Sequence, residues 1–175
     1  MDTDSRIEGY LRRLFGYAFS LTRDPHRAED LVQECAVRAL SSVNTPVDEP
    51  AFRAWLFRIL KNAFLDRLRR DKTAAAAMED VYFSPDVEFW QGEERLITAL
   101  TVKIEMVKLP LPQREILTLI DISGLSYAEA AETLGIPTGT VMSRISRARR
   151  ALLGAIESSN IHELPVKKKK GLKLG

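Results

Sequence analysis

The stretch from Leu125 to Leu153 contains two helical patterns separated by only a few residues, and it constrains the fold more than any other part of the chain. Ser126 is placed to cap the first helix, Gly135 supplies a turn in which a positive φ is cheap, and Pro137 starts the second helix. Apolar residues recur at three- and four-residue steps on both segments. The spacing predicts a helix-turn-helix unit, whose second helix has the geometry to enter a DNA major groove.

The outer face of the second helix is predicted to be basic. The segment from Ile136 to Ile156 contains four arginines and no acidic residue, a bias that an ordinary helical hairpin does not require. Hydroxyl side chains near the start of such a helix can reach base edges, and arginines further along can reach guanine or phosphate. The residues that we expect to face DNA are Thr138, Thr140, Ser143, Arg144, Arg147 and Arg150.

The charges are segregated along the chain, although the net charge is only +2. Residues 51–72 carry seven bases and two acids, and residues 136–156 form a second basic island. Between the islands, residues 73–135 carry four bases and eleven acids. Local positive fields attract polyanions whatever the net charge is. Each island alone is compatible with a solvated helix face, but two islands that end amphipathic helices favour a nucleic-acid partner.

The first seventy residues also show helical periodicity. Apolar residues from Ile7 to Leu21 form one stripe, and Asp24 followed by Pro25 is a helix cap followed by a helix-starting proline. The next helix is predicted to end near Leu40. After a polar, proline-containing loop, a third helix is predicted from about Pro50 to Arg70.

No segment shows the alternation that is typical of a half-buried strand, so we predict an all-α protein. Cys35 lies in an apolar stripe and is expected to be a core residue, and Phe52 and Trp55 are expected to pack in the core as well. The predicted organisation is two small helical domains joined by a linker. Its parts are an N-terminal helical bundle (residues 1–72), a linker (73–92), a helix-turn-helix domain (93–156) and a basic, disordered tail (157–175).

Several classes of protein are disfavoured. No apolar run approaches the roughly 18 residues of a membrane span, and the acidic start of the chain does not resemble a secretory signal. With one cysteine and two histidines, a structural metal site is not expected. We find no phosphate-binding glycine loop and no nucleophile–base pattern, so we expect neither a catalytic residue nor a cofactor. The expected location is the cytoplasm.

Motifs in both halves together resemble those of extracytoplasmic-function sigma factors of the sigma-70 family. In the second half they are Leu109-Pro110, Arg114-Glu115, Gly124-Leu125-Ser126-Tyr127-Ala128-Glu129-Ala130-Ala131, Leu134-Gly135, Gly139-Thr140-Val141, Ser143-Arg144 and Arg147-Ala148-Arg149. In the first half they are Ala28-Glu29-Asp30-Leu31-Val32-Gln33-Glu34, Phe52-Arg53-Ala54-Trp55-Leu56, Asn62, Asp66, Arg69 and Arg70.

The resemblance implies an alternative sigma factor that binds core RNA polymerase and directs transcription initiation. Its partners would be the clamp helices of the largest polymerase subunit, the flap of the second-largest subunit, promoter DNA and an anti-sigma factor that holds the protein at the membrane. The residues implied for core binding are Asp30, Gln33, Glu34 and Arg38. Those implied for the −10 element, around the loop from Ser41 to Pro50, are Asn44, Lys61, Asn62, Arg67, Arg69 and Arg70. The helix from Thr138 to Arg150 would bind the −35 element, and the resemblance adds Arg149 to its contacts.

Two departures from the family pattern bear on promoter choice. Met142 stands where many relatives carry a lysine, and the tandem tryptophans of primary sigma factors are not visible. Asp66 is expected to be a structural hydrogen-bond partner. Two other functions remain open: a sigma-like mimic that titrates an anti-sigma factor, and a stand-alone helix-turn-helix regulator. A mimic would be expected to lose the DNA-facing arginines, and a regulator would leave residues 25–70 without a role.

Overall fold

The computed structural model describes residues 3–71 and 93–160, and every regular element within these ranges is helical, which confirms the all-α prediction. The predicted linker and residues 161–175, with His162 and the tail lysines, lie outside the described residues. The helices are α1 (Thr3–Glu8), α2 (Leu11–Thr22), α3 (Pro25–Leu40), α4 (Glu49–Asp71), α5 (Glu93–Lys108), α6 (Leu111–Leu117), α7 (Tyr127–Leu134) and α8 (Thr138–Asn160). A π-helical turn at Thr118–Ile122 continues α6, and α8 runs past residue 156, where the tail was predicted to begin.

The apolar stripe from Ile7 to Leu21 is divided between α1 and α2, because the chain turns at Gly9 and Tyr10. Glycine is a poor helix former, and here it marks the break. The Tyr10 hydroxyl donates a 2.5 Å hydrogen bond to the Glu49 carboxylate at the start of α4. Burial, and then this hydrogen bond, raises the pKa of Tyr10 to about 12. The break therefore lets Tyr10 tie the N-terminal segment to α4.

Helix α3 begins as predicted. The Asp24 side chain accepts a 2.9 Å hydrogen bond from the backbone N–H of Arg27, and Pro25 is the first helical residue. Cys35 is fully buried, and its thiol donates to the carbonyl of Leu56 at 3.5 Å. Burial raises the pKa of this thiol to about 12. Cys35 is thus an unreactive core residue, as the apolar stripe indicated.

Helix α4 is the centre of the molecule. It packs against α3 on the N-terminal side and against α7 of the C-terminal half. A helix that is covered by several neighbours buries residues around its circumference. The sequence stripe anticipated Phe52, Trp55 and Leu56 but not the burial of Phe57. Phe52 is fully buried, which confirms its core packing, and Trp55 is partly buried against the same cluster with its ring centroid 5.5 Å from that of Phe52.

The first helix of the helix-turn-helix unit, α7, is capped at its N-terminus by two reciprocal hydrogen bonds. The Ser126 hydroxyl accepts from the backbone N–H of Glu129 at 3.2 Å, and the Glu129 carboxylate accepts from the backbone N–H of Ser126 at 2.7 Å. This is a capping box. Gly135 ends α7 with φ +64°, which confirms the predicted turn. The buried inner face of α8 consists of Val141, Ile145 and Ala148.

The two predicted domains do not stand apart. Helix α2 packs on α6 and α4 packs on α7, so a continuous buried cluster extends from Leu14 to Ala148. The sequence did not predict this contact, because it joins residues that are far apart along the chain. In the described ranges, no helix is both long and apolar enough to cross a bilayer.

Candidate nucleic-acid interface and docking face

The first half of α8 presents a row of exposed polar side chains. Ser143, Arg144 and Arg147 are exposed on one side of the helix, and the half-buried Thr140 lies on that side too. Thr138 is also exposed, but it lies about 20° around the helix from Arg149 and not with this row. Arg147 donates to the carbonyl oxygen of Ser143 at 3.2 Å, a contact within its own helix that leaves the guanidinium at the surface. A rigid, capped helix with such a face can present arginines to base edges and phosphates.

Arg144 and Arg147 also line an open groove between α6 and α8, together with Pro112 and Gln113. Sequence reasoning missed Gln113, because the contact with α8 depends on how α6 packs. The Gln113 amide can both donate and accept hydrogen bonds. It therefore adds a neutral polar group beside two cations. Met142 is exposed near the same end of the helix, so this predicted departure from the family pattern lies at the surface.

Arg149 has a different environment from the other arginines of α8. Its guanidinium donates two hydrogen bonds to the Asp121 carboxylate, at 2.6 and 3.1 Å. The hydrogen bond to Asp121 outweighs desolvation and raises the pKa of Arg149. At about 100° per residue, Arg149 lies roughly 140° around the helix from Arg144. The structure thus separates it from the exposed row and gives it a bonding partner, and its contact with DNA stays a prediction.

Helix α4 holds the second group of basic residues. The Lys61 ammonium lies 2.5 Å from the Glu115 carboxylate of α6. The same carboxylate accepts a 2.8 Å hydrogen bond from the Tyr17 hydroxyl. Burial, followed by the charge of Glu115, raises the pKa of Tyr17, so this tyrosine stays a neutral donor. Lys61 therefore faces the C-terminal half of the chain, whereas Asn62 and Arg70 are exposed.

A salt-bridge network joins α3 to the end of α4. Glu34 pairs with Arg67 at 2.8 Å and with Arg38 at 2.6 Å, and Asp66 accepts from Arg38 at 3.0 Å and from Arg69 at 3.3 Å. Burial opposes ionisation of Glu34, but Arg67 and Arg38 hold its pKa below the usual value. Glu34, which is predicted to bind polymerase, thus contacts Arg67, which is predicted to bind DNA, and Asp66 links Arg38 to Arg69. Asp66 acts as the structural hydrogen-bond acceptor that was expected.

The outward face of α3 is longer than the predicted polar set. Asp30 and Gln33 are exposed, and the same stripe continues at three- and four-residue steps with Val37 and Leu40, which are 63% and 51% exposed. Val37 and Leu40 therefore give the polar stripe an exposed apolar end. The signal for these two residues in the sequence is the three- and four-residue spacing from Gln33.

The loop after α3 is hydrogen-bonded near its end and exposed to solvent in its middle. Arg6 donates to the carbonyl oxygens of Pro46 and Val47, at 2.9 and 3.3 Å. Asn44 and Val43 are exposed. A held loop with an exposed amide is compatible with the predicted reading of an unstacked base. No group of three or more potential metal ligands occurs in the parts of the chain that the structure describes.

Both halves of the chain match family models, and the chain is similar to proteins of known function. Residues 6–73 match the family model for sigma-70 region 2, and residues 105–152 match that for sigma-70 region 4. The sequence is 34% identical over 139 residues to the ECF RNA polymerase sigma factor EcfG of Rhodopseudomonas palustris, covering 79% of this chain and 76% of that protein. It is 35% identical over 150 residues to the ECF RNA polymerase sigma factor SigM of Mycobacterium tuberculosis, covering 85% and 74%.

Two solved structures have the same fold. The sigma factor RpoE of Bartonella quintana, in complex with the anti-sigma factor NepR, superposes with a TM-score of 0.69 at 29% identity, covering 87% of this chain and 95% of that one. CnrH, in complex with the cytosolic domain of CnrY, superposes with a TM-score of 0.58 at 28% identity, covering 87% and 85%.

Proposed function

The chain belongs to the extracytoplasmic-function RNA polymerase sigma factors, and from this premise we propose which of its surfaces performs each step of promoter recognition. It is an alternative sigma factor, and both matched regions are parts of transcription initiation factors. Its role is therefore to select promoters, and we assign it no catalytic residue.

Core polymerase docks on the outward face of α3. The face comprises Asp30, Gln33, Glu34 and Arg38, and the exposed Val37 and Leu40 extend it. A polar, mainly acidic patch with an apolar end complements a basic coiled coil such as the clamp helices of the largest polymerase subunit. The flap of the second-largest subunit would be bound by the C-terminal half.

The −10 element is bound by α4 and the loop before it. The exposed side-chain amide of Asn44 hydrogen-bonds to an unpaired base. Asn62 and Arg70 lie at the surface. Lys61, Arg67 and Arg69 are the other phosphate contacts. All three are engaged in ion pairs within the chain, so DNA must exchange with carboxylates to reach them.

The −35 element is bound by the exposed row on α8, in the major groove. Thr138, Thr140 and Ser143 lie in the first two turns of the helix, and Arg144 and Arg147 lie about one and two turns after Thr140. Arg150 and Arg149 complete the set as phosphate contacts. The two weak DNA contacts act together through raised effective concentration, so the free protein binds DNA poorly and the holoenzyme selects promoters.

An anti-sigma factor is the regulatory partner that we propose. The Bartonella quintana relative was solved in complex with such a protein. An inhibitor of this class would mask the core-docking face or the α8 row. The inhibitor would hold the sigma factor at the cytoplasmic side of the membrane. A signal would then release the sigma factor to the nucleoid.

The observation that carries the proposal is the capped helix-turn-helix with an exposed, acid-free arginine row, joined to a bundle with a polar docking stripe. The test mixes purified protein with bacterial core RNA polymerase and genomic DNA fragments, and the transcripts are sequenced. New start sites that share two spaced upstream motifs are expected. Absence of core binding by a folded, inhibitor-free protein would refute the proposal and favour a mimic or a stand-alone regulator.

A further inference from the structure

The guanidinium of Arg6, near the end of α1, contacts both the loop that follows α3 and the start of α4. It donates hydrogen bonds to the carbonyl oxygens of Pro46 and Val47, at 2.9 and 3.3 Å. It also donates to the Glu49 carboxylate at 2.9 Å. Its central carbon lies 3.7 Å from the centroid of the buried Phe52 ring. One side chain therefore joins the loop, the first turn of α4 and the aromatic core of the bundle.

The contacts of Arg6 use the shape of its guanidinium and not only its charge. The side chain is only 11% exposed, and two of its nitrogen atoms make three hydrogen bonds within the protein. A planar guanidinium can donate in several directions while it stacks on a ring. A lysine ammonium is a compact point charge and does not reproduce this fork. The set of contacts therefore requires arginine.

The carboxylate that receives Arg6 is itself held in place. The Tyr10 hydroxyl donates a 2.5 Å hydrogen bond to the other oxygen of Glu49. The hydrogen bonds from Tyr10 and then from Arg6 hold the pKa of Glu49 below its usual value, so the carboxylate is charged at neutral pH. Tyr10 is buried, and its ring centroid lies 6.1 Å from that of Phe52. Glu49 is thus fixed between two donors and holds Arg6 against the start of α4.

The two ends of the loop between α3 and α4 are defined by local hydrogen bonds. At its start, the hydroxyl and the backbone N–H of Ser41 both donate to the carbonyl oxygen of Val37. At its end, the Asp48 side chain accepts from the backbone N–H of Ala51 at 3.1 Å. Such contacts define where the helices stop and start, but they do not set the direction of the chain between them. The bonds from Arg6 cross 40 positions of sequence and tie the loop backbone to α1.

The side chains that would meet an unpaired base lie on this loop. Asn44 is exposed, and Val43 and Val47 are 96% and 93% exposed. A base that has left its stack is bound through hydrogen bonds to its edge and through apolar or aromatic side chains against its faces. Val47 has its carbonyl oxygen bonded to Arg6 while its side chain projects into solvent. The Arg6 contact therefore controls how this part of the loop faces the DNA.

We propose that Arg6 is a positioning residue for −10 recognition, which holds the backbone at Pro46 and Val47 in the conformation that discriminates one unpaired base from another. This inference rests on the proposed function of the loop. A loop that is held before binding loses less conformational entropy when the correct base arrives. A flexible surface can repack around several partners and so discriminates less among them. Loss of Arg6 should therefore lower base discrimination more than it lowers total transcription.

The test measures transcription by holoenzyme that contains wild-type protein, R6K or R6Q. The templates are one promoter mapped from the sequenced transcripts and a set of variants in which each −10 base pair is replaced in turn. The discrimination ratio at a position is the transcript from the original template divided by the mean from its replacements. R27Q is the control, since it removes one positive charge from an exposed residue of α3. Thermal unfolding and core binding are measured for every protein.

We expect the wild type to discriminate about tenfold at the position that the loop reads, as is usual for one contacted base pair. R6Q should reduce this ratio to about twofold and leave the ratios at the other positions unchanged. R6K should reduce it to about threefold, because it keeps the charge but not the fork. R27Q should stay within twofold of wild type. A role limited to stability would lower Tm and scale the transcripts from all templates by one factor, with every ratio unchanged.

Unchanged ratios at every −10 position for folded R6Q and R6K would overturn the proposal. A ratio that R6K retains and R6Q loses would also overturn it, because charge alone would then matter. Should R6Q not fold, as judged by circular dichroism, the R6K ratio decides alone. These outcomes, with a wild type that transcribes, refute only the role of Arg6. A wild type that transcribes without discrimination at any −10 position refutes reading by the loop, and one that neither binds core nor transcribes refutes the proposed function itself.

Discussion

Replacing Arg147 and Arg149 separately by alanine should give opposite results, although the two arginines are neighbours on α8. Arg147 is exposed, and it donates hydrogen bonds to Ser143 of its own helix. Its removal should leave folding unchanged and cost about 1–3 kcal/mol of −35 binding, or about 5- to 150-fold. Arg149 instead donates two bonds to Asp121.

The Arg149 pair is about half exposed on the arginine side, so solvent screening limits its contribution to stability. A value of about 0.5 kcal/mol is reasonable for such a pair. In a chain of this size that corresponds to a fall in Tm of about 1–2 °C. We expect R149A to lose this much stability and to retain most of the −35 discrimination.

The assay is transcription by holoenzyme from one promoter with its −35 element intact or scrambled, together with thermal unfolding of each variant. The ratio of transcript from the two templates reports −35 reading, and core binding serves as the control for assembly. R147A should lower the ratio at unchanged Tm. A normal ratio for R147A with a collapsed ratio for R149A would refute the assignment of the exposed row, and DNA would then contact the opposite side of α8.

Three further outcomes are expected. D30A/Q33A should weaken binding to core polymerase about tenfold at unchanged Tm, as measured by labelled-core titration, because both residues are exposed on the α3 stripe; unchanged affinity would remove α3 from the interface. G135A should lower stability by about 1–2 kcal/mol in urea unfolding, since an L side chain at φ +64° is strained; no loss would mean that the turn adapts. The pKa of Glu34 and Glu49 is lowered in the folded protein, so their stabilisation is present above the unfolded value near 4.5 and is lost as the pH falls below it; equal urea midpoints at pH 7 and pH 3.5 would contradict this.

Features that depend on neighbouring residues could be predicted from the sequence. Asp24 and Pro25 start α3, and Ser126 and Gly135 bound α7, because caps and turns are set by side chains within a few positions of the backbone groups that they satisfy. The inner face of α8 followed from helical spacing alone. The break at Gly9 was not anticipated, since the apolar stripe continues through it with the correct period.

Features that depend on tertiary contacts could not be predicted. Nothing near Arg149 in the sequence indicates Asp121 as its partner, and nothing near Lys61 indicates Glu115, which lies 54 positions away. The sequence alone can identify only which lysines and arginines are candidates for contact with DNA. Which of them are available to DNA depends on how the helices pack, and helix packing was outside the reach of periodicity.

Helix α4 shows why the charge pattern of this chain is more informative than its net charge. Unpaired cations on a basic helix attract nucleic acid without regard to its sequence. In this chain the acidic residues that balance it lie in the next folded half, on α6 and α7. Glu129 pairs there with Arg53, and Glu115 pairs with Lys61. The alternation of basic and acidic segments in the sequence therefore supplies both partners of these ion pairs, which the net charge of +2 does not reveal.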